Sequence, residues 1–268
     1  MIRIFFIFII FLSLSFAQEI RLAKTQEEYI AKKVWQNEGA GLDKYLIHWN
    51  DGEDFISLGI GHFIWFPKDH TERFREVFPL LLEYMQERGV VLPDWLHPQS
   101  DCPWSDKDSF ERSKTTKDTL YMRLFDFIDS TRTYQAGYMA HRLQNALPQM
   151  LATIEDKDKR VLIKERFDAI LFNSNREINE HGLYILLDYV NFKGEGTLES
   201  ERYNNQGWGL LQVLEHINTD NNDRFRAFSD SAKAMLERRI QNSPKQRGEE
   251  RWREGWFKRL DTYVLDRQ

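Results

Sequence analysis

Glu38 closes a stretch in which Ile30, Ala31, Val34 and Trp35 recur at helical spacing, so its carboxyl shares an arc with apolar neighbours. Burial on such a face removes water from the carboxylate and raises its pKa. A helix carboxyl end, with its partial negative charge, pushes the same way. A carboxylic acid still protonated at neutral pH is what cleavage of a glycosidic bond requires of its general acid. Taken alone, a glutamate at a helix end is more often a solvated surface group, so the signal depends on its surroundings.

Those surroundings are Trp49-Asn50-Asp51-Gly52-Glu53-Asp54-Phe55-Ile56-Ser57-Leu58-Gly59-Ile60-Gly61-His62. Here the sequence resembles the phage-type lysozymes of glycoside hydrolase family 24. Their pattern is a catalytic Glu followed by Gly, an aromatic-x-Asp, and a Thr six residues later that leads into Ile-Gly-x-Gly-His. Glu38-Gly39, Trp49-Asn50-Asp51 and Leu58 through His62 occupy the corresponding places. Ser57 stands where the family has Thr and keeps the hydroxyl. The interval from Glu38 to Asp51 is longer than in the compact phage enzymes, which leaves Glu53 and Asp54 as competitors for the role of Asp51. The resemblance implies that Glu38 protonates the leaving oxygen, that Asp51 stabilises the sugar cation or activates water, and that Ser57 positions that water. His62 then lies near the site in a supporting role; a structural histidine is the plainer alternative.

Two further stretches carry the resemblance. Tyr184 through Gly196 looks like the family's buried helix, which ends in an Asn-Phe-x-x-Gly turn beside the cleft, here Asn191-Phe192-Lys193-Gly194. Gly209-Leu210-Leu211 and the segment from Arg251 to Leu260 resemble the helices that follow. The likeness spans about residues 24–66 and 178–265. Residues 67–177 fall outside it and are expected to form a helical insertion on the rim of the cleft. The implied fold is lysozyme-like, mostly α (α+β), with a small N-terminal antiparallel sheet lobe and a larger helical lobe. One catalytic domain would span residues 18–268, and its partner would be the glycan strand of peptidoglycan.

Gly209-Leu210-Leu211-Gln212 also resembles a motif of lytic transglycosylases, with Glu195 or Glu199 as the single acid; as solvated loop carboxylates these two would carry no chemistry. A third possibility is a protein that binds glycan, or inhibits a wall enzyme, without cleaving anything. The aromatic content, 8 Trp, 10 Tyr and 19 Phe, serves cores first, but a flat ring also packs on the apolar face of a sugar. Trp95 and Trp104, set among Pro93, Pro98 and Pro103, are the candidates for such a ring at the rim of the groove. No cofactor or metal is expected: His48, His62 and His70 lack metal-ligand spacing and Cys102 stands alone. No nucleophile elbow is present either.

The elements that must position these residues follow from periodicity. A capping box at Thr25 and Glu28 opens the helix that ends near Glu38. Short β-prone pieces from Tyr45 to Trp65 are punctuated by the turn signals Asn50-Asp51-Gly52 and Gly59-Ile60-Gly61, with a two-residue hairpin signal within that stretch. Helices are expected near 69–88, 117–129, 134–155, 158–172, 180–191, 207–217, 223–241 and 247–265, with 92–110 irregular. Met1 to Ala17 reads as a secretory signal: Arg3, an apolar run to Phe16, and small residues before Gln18. Cleavage after Ala17 leaves a periplasmic or secreted chain with no stable membrane anchor. It takes one base from 37 and none of the 42 acids, so the mature chain is more acidic than the whole chain's net −5. That balance lacks the basic stripe of a nucleic-acid binder. With one cysteine there is no intrachain disulfide, and a monomer held by packing is expected.

Overall fold

The computed structural model describes residues 23–39, 42–68, 76–218 and 223–265, with residues 37–39 described by their backbone alone. The signal segment with its cleavage point, and His70, lie outside the described residues. Helix α1 (Lys24–Gly39) begins one residue before the expected box. The Ala23 N–H donates to the Gln26 side chain at 2.9 Å, so Gln26 reaches back to the helix start rather than Glu28. Ile30, Ala31, Val34 and Trp35 are all buried, as their spacing requires.

A three-stranded antiparallel sheet follows: β1 (Ile47–His48), β2 (Ile56–Leu58) and β3 (Phe63–Trp65), in that order. The Asn50-Asp51-Gly52 turn is not a two-residue hairpin. Residues 49–55 form a wider loop, because the Trp49 indole N–H donates to the Glu53 carbonyl at 2.8 Å and folds the loop on itself. The tight connection is instead Gly59–His62, between β2 and β3.

Most of the remaining described chain is helical, with an irregular stretch over 88–106 and one short ladder. Its helices are α2 (Phe78–Glu87), α3 (Lys107–Thr116), α4 (Thr119–Ser130), α5 (Arg132–Ala152), α6 (Lys157–Leu171) and α7 (Glu180–Lys193). After the ladder of β4 (Arg202–Tyr203) and β5 (Gln206–Gly207) come α8 (Leu210–His216), α9 (Arg224–Asn242) and α10 (Arg253–Leu265). The fold is therefore mostly α with a small antiparallel sheet. Helix α3 departs from the irregular segment expected there. Asp106 caps it in a reciprocal box with Ser109, although Phe110 is the one large apolar side chain along its length.

Every residue of α7 from Gly182 to Val190 is buried, which marks it as the central helix. Helix α1 packs on α5 and α7, and α5 also packs on α7, α2 and α6. Leu124, Ala136, Leu143, Ile163 and Phe167 belong to the same core as Ile30 and Tyr184. Residues 67–177 are thus not an addition to a rim: they supply helices to the core itself. The buried carboxylate of Asp188 in α7 accepts both Arg259 Nε (2.9 Å) and Nη2 (2.8 Å) and the Tyr263 hydroxyl (2.5 Å), which fastens α7 to α10.

Cys102 is buried, and burial pushes its thiol up to about 12. Since the thiolate is the reactive form, a disulfide-forming thiol reagent is expected to leave the native protein unmodified at pH 8 and to label it stoichiometrically once it is unfolded. Rapid native labelling, followed by absorbance, would contradict this placement.

Candidate functional site

The Gly59–His62 turn is the best-supported piece of backbone in the sheet region. The Gln135 side chain, fully buried on α5, accepts the Ile60 N–H at 2.9 Å and donates to the Ile128 carbonyl at 2.7 Å. The Asn191 amide, at the end of α7, donates to the Gly61 carbonyl at 2.9 Å. Gly59 has φ +71°, and a β-carbon there would stand 2.3 Å from Gln135 Oε1. Only glycine permits both the left-handed backbone and the approach of the amide. Two helices distant in sequence therefore hold one turn by its polar groups.

That turn carries His62, which itself has φ +49°. The His62 ring lies 4.3 Å from that of His48, centroid to centroid, at 65°. His48 Nδ1 is 2.9 Å from the Tyr45 carbonyl oxygen. A carbonyl only accepts, so His48 carries its proton on Nδ1. Ser57 is buried and stands directly across from His48 on β1 and from Ile64 on β3. Cross-strand partners share a face of the sheet, so Ser57 and His48 lie side by side. Glu38 occupies the last turn of α1; its side chain lies outside the described residues.

The carboxylates of the β1–β2 loop differ sharply. Asp51 is fully exposed and pairs with Lys107 of α3. The hydrogen bond and charge of that lysine hold the Asp51 carboxyl below its ordinary range. Glu53 is half-buried, and burial raises its carboxyl above the ordinary range even though the Asn50 amide donates to it at 2.9 Å. The loop thus keeps Asp51 anionic and moves Glu53 toward the protonated form.

Glu195 is buried beyond the end of α7, and its two oxygens accept Arg142 Nε (3.0 Å) and Nη2 (3.2 Å) from α5. Neither oxygen is presented as a proton donor. Glu199 is exposed at the start of the turn Glu199–Glu201. Gln212 accepts the Gly209 N–H and donates to the Gly196 carbonyl, each at 3.1 Å. It interlocks two loops: Gly209 approaches so closely that a β-carbon there would meet Gly196 N at 2.1 Å.

Trp104 is buried against Phe110, with ring centroids 5.3 Å apart. Trp95 packs against the core with its indole nitrogen buried. Neither ring stands free at a groove. The segment is folded down instead, because Trp65 Nε1 donates to the Ser100 carbonyl (2.9 Å) and Cys102 N to the Phe66 carbonyl (3.1 Å).

Sequence reasoning missed Gln135, Arg142, His48 and Lys107 as contributors. Gln135 did leave a signal, being a polar residue on the stripe of Ala136, Met139, Ala140 and Leu143. A groove of about 680 Å³ runs along α10, lined by Arg251, Glu254, Lys258 and Asp261 among others. Its lining is mixed in charge and lacks every residue of the turn and sheet. Among the described residues, no cluster of three or more His, Cys, Asp or Glu could hold a metal ion, and no helix is long and apolar enough to cross a membrane. Compared with family models, curated proteins and solved structures, the chain matches none.

Proposed function

We propose that this chain is an exported, lysozyme-like glycoside hydrolase that cleaves the MurNAc–GlcNAc β-1,4 bond of peptidoglycan, with Glu38 as general acid. The observation that carries the reading is the hydrogen bond from Asn191 to Gly61. It joins residues 130 apart in sequence, and they come from the two stretches that separately resemble phage-type lysozymes. Glu38 donates its proton to the leaving oxygen. Asp51, kept anionic, supplies the counter-charge to the developing sugar cation. The Ser57 hydroxyl positions water, and the Gly59–His62 turn fixes the wall on which the sugar rests.

Mass spectrometry of products from purified peptidoglycan tests this. Reducing-end muropeptides are expected. Anhydro-muropeptides would move the chemistry to a transglycosylase, and an unchanged wall would leave a binder or inhibitor.

Lys107 offers a separate check on Asp51. In this reading Lys107→Met lets the Asp51 carboxyl return toward its ordinary pKa. Asp51 is then protonated at a higher pH than in the parent, so the acid limb of the pH–rate profile for wall clearing should move upward. An unmoved limb, with Asp51→Asn fully active, would take Asp51 out of the mechanism.

A further inference from the structure

The exposed aromatic surface that Trp95 and Trp104 do not supply is found at the other end of the chain. Trp252 is 37% exposed, and its ring centroid lies 5.8 Å from that of Trp256 at 33°. Trp256 in turn meets Phe192 at 6.5 Å, and Phe192 adjoins the Asn191 that holds the Gly61 carbonyl. The three rings therefore form a row from the carboxyl end of α7 to the surface at Trp252. The Lys193 ammonium packs on both inner rings, 3.9 Å from Phe192 and 3.5 Å from Trp256. The Arg251 guanidinium lies 4.6 Å from the Trp252 ring and has no acidic partner among the described residues. Of the acids nearest it in sequence, Glu249 is engaged by Arg239 and Arg247 and Glu250 by Arg253, while Glu254 lines the same groove as Arg251.

We propose that the Trp252–Trp256 ledge, with Arg251 beside it, is a secondary binding subsite for a carboxylate-bearing glycan strand extending from the cleavage site. This rests on the hydrolase reading above. An indole presents a broad apolar face and a cation-attracting ring, which suits the C–H face of a pyranose. The guanidinium suits a carboxylate carried on the strand, which in peptidoglycan the stem peptides supply. A neutral polymer would use the ring and leave the arginine idle.

The test is co-sedimentation of the mature full-length protein with purified sacculi and, separately, with colloidal chitin. It is run in a Glu38→Gln background so that turnover does not deplete the polymer. Trp252→Ala is expected to weaken binding to both by roughly 2–12-fold, and Trp252→Phe to restore most of it. Arg251→Ala should weaken binding to sacculi alone. The melting temperature should stay unchanged in Arg251→Ala and fall slightly in Trp252→Ala, which loses the packing on Trp256, with every variant still folded at the temperature of the binding assay. Unaltered sacculus binding by Trp252→Ala would overturn the ledge, and equal loss on chitin in Arg251→Ala would overturn the carboxylate. If Glu38→Gln remains lytic while Trp252→Ala still loses binding, the assigned acid falls and the ledge stands. If the Glu38→Gln protein with Trp252 and Arg251 intact does not sediment with sacculi, the ledge falls whether or not the wild-type protein cleaves.

Discussion

Glu38→Gln is expected to abolish wall clearing while leaving the protein folded. The exchange keeps the size and shape of the side chain and removes only the ionisable proton. A general acid so altered loses on the order of 10²–10⁴ in rate. Stability should hold or rise slightly, because on the apolar arc that the spacing of Ile30, Ala31, Val34 and Trp35 predicts for Glu38 a carboxyl is costly to desolvate. Glu195→Gln is the informative companion. Its carboxylate is engaged by Arg142 through both oxygens, so its loss should lower the melting temperature and spare the chemistry of residual folded protein. Clearing rates per folded molecule, read beside melting curves, separate the two. Full activity in folded Glu38→Gln would end the hydrolase reading, and inactivity in folded Glu195→Gln would favour the transglycosylase.

The largest loss of stability is expected from Asp188→Ala. Asp188 is fully buried and receives three donors, two from Arg259 and one from Tyr263. Removing one partner of a buried ion pair leaves the other charge uncompensated and costs about 3–5 kcal/mol. In a chain of this size that corresponds to a fall of roughly 6–20 °C in melting temperature. Asp188→Ala combined with Arg259→Met should recover part of the loss, because no buried charge then remains. A double variant no more stable than the single one would show that the pair acts through packing rather than charge. Asn191 lies one turn beyond Asp188 on α7, so the single variant should also loosen the Gly59–His62 turn and reduce activity below what the unfolded fraction explains.

Much of this architecture was legible in the sequence, and the residues show why. Leu81, Leu82 and Met85, or Ile30, Val34 and Trp35, face the core because their spacing leaves no other helical face for them. Gly59-Ile60-Gly61 announced a turn through glycine chemistry alone. Helix α3 escaped because Phe110 is its lone large apolar residue, and its Asp106–Ser109 cap has no periodic stripe behind it. The standing of residues 67–177 escaped for another reason. Whether a helix lies on a rim or in the centre depends on what packs against it, and periodicity reports only that it has an apolar face. Trp95 and Trp104 show the same limit, since proline-rich surroundings read as exposed until backbone bonds to Trp65 and Phe66 fold them inward. In the site, glycine and asparagine positions were readable. Gln135 and Arg142 act on partners 75 and 53 residues away, beyond the reach of any local pattern.

The clamp on the Gly59–His62 turn also sets an order in time. Gln135 follows Ile60 by 75 residues and Asn191 follows Gly61 by 130. At a synthesis rate of roughly 5–20 residues per second, Asn191 appears roughly 7–26 s after the turn it secures. Until then the sheet has α2 against β3 and, later, Gln135 of α5 on the turn, but not the second of the turn's two side-chain supports; a sheet of such short strands is not stable alone. The turn is therefore among the earliest parts of the chain to be made and among the last to be finished. A nascent chain, however much of its amino-terminal half has emerged, does not yet hold both ends of that clamp.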